Sequence, residues 1–170
     1  MQVSVQQESR GDEEMVKMDA AGEPSKGEAW DDMGKDNITQ IIISHGSDID
    51  IGYILFMYAE NGKVVPSKRI GLATGSSSGF DTVDLNYPSE FLTSVSGSFS
   101  NFLGTCGSSY EALTSLTFGT NKGTYGPFGV KQKKEFCFRM GDRHTFAGFH
   151  GTHDSRKGIR SIGVYVKPPS

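Results

Sequence analysis

The chain has 170 residues, 35% hydrophobic and 11% aromatic, and its 22 glycines amount to about 13%. One core fits that length, and glycine at nearly twice its ordinary share of roughly 7% disfavours a helical body. The formal charge of −3 sits wholly in residues 1–26, where six acids face three bases, while residues 27–170 balance at 14 of each. A neutral body lacks the basic face from which nucleic-acid recognition starts, so DNA and RNA are set aside as partners.

Taken in chain order, residues 1–26 are polar, charged and aperiodic, and are expected to be a disordered acidic tail ahead of a single domain over residues 27–170. The first residues lack the apolar stretch of a secretory signal and are too acidic for a transit peptide, so the expected compartment is cytosol or nucleus. The longest apolar run, Ile51–Ala59, is about half of a membrane span, so no membrane partner is expected.

From Gly27 onward, short runs of Ile, Val, Phe, Tyr and Thr alternate with Gly, Asn, Ser and Pro, and no segment keeps a helical period. Strands are expected at Ile38–Ser44, Tyr53–Tyr58, Val83–Leu85, Phe91–Phe99, Ser115–Thr120, Phe136–Met140, Thr145–Gly151 and Ser161–Val166. Glu60-Asn61-Gly62-Lys63 and Thr120-Asn121-Lys122-Gly123 read as hairpin turns. Lys131-Gln-Lys133-Lys134 reads as a charged hairpin tip. Cys106 and Cys137 lack metal or redox spacing and are expected to be free thiols, Cys137 within a strand core.

A weak repeat runs through these strands. Ile51–Tyr58, Leu113–Thr120 and Ile159–Val166 each open on an aliphatic residue, place another three positions later, and close a β-rich run. Three copies imply three similar β units around one core.

Several motifs suggest chemistry and are set aside. Gly75-Ser-Ser-Ser-Gly79 has the hydrolase-elbow pattern but leads into a strand rather than the helix such an elbow needs, so it reads as a flexible loop. His150, His153 and Asp154 are metal-ligand types, but three ligands within five residues of one loop rarely converge on one ion. Trp30 reads as a packing anchor, and Asp31 and Asp32 as turn residues. No catalytic residue, metal site or cofactor is assigned.

Eight blocks in order carry a family resemblance. They are Gly27-Glu-Ala-Trp30-Asp31-Asp32, Asp84-Leu-Asn-Tyr-Pro88-Ser-Glu-Phe-Leu92, Ser94-Val-Ser-Gly97, Ser115-Leu-Thr-Phe118, Thr120-Asn-Lys122, Thr124-Tyr-Gly-Pro127-Phe-Gly129, Gly148-Phe-His-Gly151 and Ile162-Gly-Val-Tyr165. Together they resemble the jacalin-related plant lectins, of the mannose/glucose-binding kind. The resemblance implies an all-β fold, a β-prism of three four-stranded antiparallel sheets with pseudo-threefold symmetry. It also implies a homo-oligomer, a role in plant defence and a glycan ligand. His150-Gly151-Thr152, Asp154 and the Ile162–Tyr165 run are further similar to crucifer jacalin-like proteins that restrict plant viruses, which implies viral or host proteins as alternative partners.

In that family a carboxylate accepts from sugar hydroxyls and backbone N–H groups donate to them. By resemblance the carbohydrate-binding positions are Gly27, Tyr110, Glu111, Asp154, Lys157, Gly158 and Arg160. Two departures stand out. Where relatives read Leu-Asp-Ala-Ile-Gly, this chain reads Ile159-Arg160-Ser161-Ile162-Gly163, and an arginine donates but cannot accept. The glycine-rich first loop has become Gly22-Glu-Pro-Ser-Lys-Gly27. Simple mannose or glucose binding is therefore expected to be weak, with two openings: Asp154 substitutes for the lost acid, or Arg156, Lys157 and Arg160 favour an anionic ligand; the plain alternative to the latter is three solvated surface cations.

Overall fold

The computed structural model describes residues 5–7, 14–45, 50–73 and 79–168. Among them, strands run β1 (Val5–Gln7), β2 (Glu14–Lys17), β3 (Ala21–Gly22), β4 (Glu28–Asp31), β5 (Ile38–His45), β6 (Ile51–Glu60), β7 (Lys63–Pro66) and β8 (Ile70–Gly71). They continue as β9 (Phe80–Asp84), β10 (Leu92–Leu103), β11 (Ser109–Thr120), β12 (Gly123–Gly129), β13 (Lys134–Arg139), β14 (Phe146–Asp154) and β15 (Gly158–Val166), with one 3-10 turn at Thr105–Gly107.

The strands form three antiparallel sheets of four or more strands each. The first runs β1-β2-β15-β14-β4 with β3 also on β15, the second β7-β6-β5-β9 with β8 also on β6, and the third β12-β11-β10-β13. Each is built on one central hairpin, β14–β15, β5–β6 or β10–β11. The second strands of these hairpins, β15, β6 and β11, approach one another at the middle of the prism.

The repeat is the axis of this arrangement. Its first residues, Ile51, Leu113 and Ile159, are fully buried, and so are Ile54, Leu116 and Ile162 three positions on and Phe56, Phe118 and Val164 five positions on. A strand turns its side chains over every two residues, so a spacing of three places both ends on one face only if an extra residue intervenes. Each hairpin has that β-bulge at the equivalent place. The ladder jumps between Ser44 and His45, Ser98 and Phe99, and Thr152 and His153, leaving Gly52, Thr114 and Arg160 as the residues opposite no partner.

One expectation changes at the chain's start. The disordered tail expected through residue 26 does not hold for residues 14–26, because β2 and β3 pair with β15. Met15 is buried against Ala147 and Tyr165, and Met18 N donates to Val164 O at 2.9 Å. The few apolar groups of this segment could not order it alone, but the edge and outer face of the first sheet supply the missing partners. His150, whose burial pushes its pKa below the ordinary value, meets Met18 O through Nε2 at 2.8 Å.

Other expectations shift locally. Cys137 lies on β13 as expected but faces out, since Phe136 and Phe138 take the inward phase of that edge strand. Lys131–Lys134 is not a hairpin tip: β12 and β13 lie on opposite edges of the third sheet, so this run crosses between them. The Asn61-Gly62 turn is confirmed, with positive φ at both residues closing Glu60 onto Lys63. Residues 75–78 of the Gly75–Gly79 loop lie outside the described residues.

Candidate functional site

Three loops meet at one end of the prism: residues 23–27 between β3 and β4, residues 155–157 between β14 and β15, and residues 104–108 at the tip of β10–β11. The first leaves β3 at Gly22, whose φ is +99° and where a Cβ would sit 2.4 Å from Arg160 O. Glu23 N then donates to Arg160 O at 2.8 Å, Lys26 N closes a turn onto Glu23 O at 3.0 Å, and Thr152 Oγ1 donates to Glu23 O at 3.4 Å. At the far end Gly27 has φ +85°, and a Cβ there would meet His153 O at 2.7 Å and Arg160 Cγ at 3.3 Å. Only a glycine lets the loop lie this close to β14.

The second loop is tied by Asp154. Its Oδ1 accepts from Arg156 N at 2.8 Å and Lys157 N at 3.2 Å, and these bonds, outweighing burial, hold its pKa below the usual carboxylate value. Gly158 follows with φ +91° and returns the chain to β15. Asp154 is therefore a turn-forming acceptor, and His150, His153 and Asp154 go separate ways: His153 Nδ1 accepts from Gly71 N at 3.0 Å and its ring meets Trp30 edge-on at 5.9 Å. Among the described residues no group of His, Cys, Asp and Glu is placed to hold a metal.

Arg160 is the bulge residue of the first sheet, and the bulge sends its side chain sideways to β11. Its Nε donates to Glu111 O at 2.9 Å and its Nη2 to Glu23 Oε1 at 3.1 Å. The same Glu23 oxygen accepts from Glu111 N at 3.0 Å. Glu111 Oε2 receives Lys134 Nζ at 2.5 Å, while Glu111 Oε1 is buried without a hydrogen-bond partner among the described residues. Tyr110 stacks on Phe102 at 5.5 Å and has Arg160 Cζ 5.6 Å and Lys157 Nζ 5.3 Å from its ring centre. Burial raises the pKa of Glu23, but the Glu111 N–H and the Arg160 guanidinium outweigh it, and the net shift is downward.

All seven positions named from the sequence thus come to one end of the fold. They do not form an open cluster of three cations. The Arg160 side chain is 5% exposed and spent on an internal ion pair, whereas Arg156 and Lys157 face water. Sequence reasoning missed Glu23 and Lys134. The signal for Glu23 was a charge exchange, an acid entering the first loop where an arginine replaced the acid of the last.

Likeness to known proteins settles the kinship. Residues 18–165 match the family described as the jacalin-like lectin domain. The chain belongs to the jacalin-like lectin family. It is 40% identical over 146 residues to "Protein RESTRICTED TEV MOVEMENT 1" of Arabidopsis thaliana, covering 82% of this chain and 77% of that protein. It is 36% identical over 149 residues to "Jacalin-related lectin 2" of Arabidopsis thaliana, again at 82% and 77% coverage. Among solved structures, a mannose-specific jacalin-related lectin from Morus nigra in complex with mannose superposes with a TM-score of 0.76 at 29% identity, covering 96% of this chain and 100% of that one. The three sheets are the β-prism of this family, a family of carbohydrate binders.

Proposed function

We propose that the protein is a carbohydrate-binding lectin module of plant defence, binding without catalysis, in which the ordinary sugar recess is altered and single neutral sugars bind weakly. The observation that carries this is Arg160: at the position where mannose-type relatives hold an acid stands a buried donor, already engaged by Glu23 and Glu111 O. A neutral hexose needs an acceptor there. Gly27, Lys157 and the Tyr110 ring remain at the rim to meet a larger glycan, Gly158 being buried beneath them, and a homo-oligomer presenting several rims would offset a weak single site.

A second reading is favoured by the 40% identity to a protein named for restricting virus movement. In it the same end of the prism recognises a viral or host protein.

Calorimetry against mannose, glucose and galactose tests the first reading. Wild-type dissociation constants weaker than about 1 mM, or about −4 kcal/mol, are expected. Arg160→Asp alone would crowd a third carboxylate against Glu23 and Glu111, so the informative variant is Glu23→Gly with Arg160→Asp, which should gain mannose binding. Tight mannose binding by the wild type overturns the altered recess. A glycan array bare of signal, together with virus restriction that survives the double variant, moves the choice to the protein-interaction reading.

A further inference from the structure

Glu23 differs from the groups that hold it. Its side chain is 36% exposed, against 5% for Arg160, and its Oε1 is met by Arg160 Nη2 and by the Glu111 N–H. Both donors are fixed without its help. The amide belongs to the β11 backbone, and the guanidinium is pinned by its Nε on Glu111 O and by its place beside the Tyr110 ring. A guanidinium and an amide converging on one oxygen, with Lys157 on the same tyrosine ring, form a receptor for a carboxylate, whose charge strengthens both bonds. Gly27 lies against the same arginine side chain, since a Cβ on it would reach Arg160 Cγ at 3.3 Å.

We infer that Arg160 and the Glu111 amide form a carboxylate-binding subsite for an acidic sugar of the uronic acid class, and that Glu23 closes it from within. This rests on the carbohydrate-binding reading above. Exchange of one carboxylate for another keeps the buried guanidinium paired and so avoids the penalty of leaving it alone. The internal carboxylate competes at an effective concentration on the order of millimolar, which makes a free uronate weak in the wild type. Removing the competitor exposes the subsite's own affinity.

The test is titration of D-glucuronate, its neutral methyl ester, D-glucose and acetate into the wild type, Glu23→Gln and Glu23→Ala, by calorimetry or ligand-observed NMR. Glu23→Gln keeps the side chain's size and an acceptor oxygen, so it preserves the loop where Glu23→Ala fails to fold. Glucuronate should bind the folded variants at least about tenfold more tightly than the wild type, with the gain shrinking in salt and vanishing when Arg160→Thr is added. Glucose and the methyl ester should show no gain. Unchanged glucuronate affinity in folded Glu23→Gln, or an equal gain for glucose, overturns the subsite. An equal gain for acetate overturns the assignment to a sugar. A glycan array on the wild type separates the two layers: glycans bound there with no glucuronate gain in the variants sink the subsite alone, and a bare array sinks the carbohydrate reading beneath it.

Discussion

Thr114 and Arg160 occupy the same place in two sheets of one molecule, each the unpartnered residue of the bulge in a central hairpin. Around both, hydroxyl pairs close the ladder: Ser98 and Ser115 meet at 2.6 Å in the third sheet, Thr152 and Ser161 at 2.6 Å in the first. Thr114 finishes its hydrogen bonding within its own hairpin, on Ser98 O at 3.1 Å and Ser98 Oγ at 2.8 Å. Arg160 cannot, and reaches out to a different sheet and a different loop. One backbone device therefore serves as a plain corner where its residue is short and neutral, and as the root of a site where its residue is long and charged. The bulge supplies the direction, and the side chain decides whether anything lies at the end of it.

The largest expected effect tests whether the two hairpins really are equivalent. Gly97 and Gly151 sit under aromatic rings from neighbouring strands: a Cβ on Gly97 would lie 2.1 Å from Ser115 O and 2.9 Å from the Phe136 ring, and one on Gly151 2.3 Å from Ser161 O and 2.6 Å from the Trp30 ring. A backbone carbonyl cannot swing aside, so Gly97→Ala and Gly151→Ala should each destabilise by about 3 kcal/mol in denaturant titration. A near-neutral result at one position alone would break the equivalence.

A smaller effect separates the two bulge residues. Arg160→Thr copies the third-sheet corner into the first and should cost about 1 kcal/mol of stability, kept low because Glu23 is screened by water. Thr114→Val should cost a similar amount by leaving buried hydroxyl partners short of a bond. The distinction is in coupling. In double-mutant cycles with Glu23→Gln, Arg160→Thr should be non-additive by about 1 kcal/mol and Thr114→Val additive. Additivity in both would mean that the Glu23 ion pair contributes nothing to the folded state.

The eight strands read from the sequence all exist, because each carries an apolar phase strong enough to see locally. Those missed are short or lie at edges. β7 is exposed along all four residues, and β2 and β3 take order only from β15 far along the chain. The repeat's spacing of three already contained the bulge, yet a spacing alone does not say which residue is left over. The site residues were legible through resemblance at Gly27, on the last loop and at the β10–β11 tip. Their wiring was not, since Glu23 and Arg160 are 137 residues apart and no local pattern joins them.

Acidification offers the gentlest probe of the same pairing, in two windows of opposite origin. Burial holds the His150 pKa below its ordinary 6.5, so the unfolded chain takes up that proton first, and stability falls as pH drops from about 6.5 towards the folded value and then levels. Glu23 is held below its ordinary 4.5, so its contribution is complete above that range and is lost only as pH falls through its lower folded value, in a window shared with Glu90 and Asp154. Thermal melts from pH 7.5 to 3.5 should therefore show His150→Gln flattening the upper step and Glu23→Gln trimming only the lower one. Should Glu23→Gln change the slope between pH 6.5 and 5, its carboxylate is not held down by Arg160 and the Glu111 amide, and the contrast between the two bulges loses its electrostatic half.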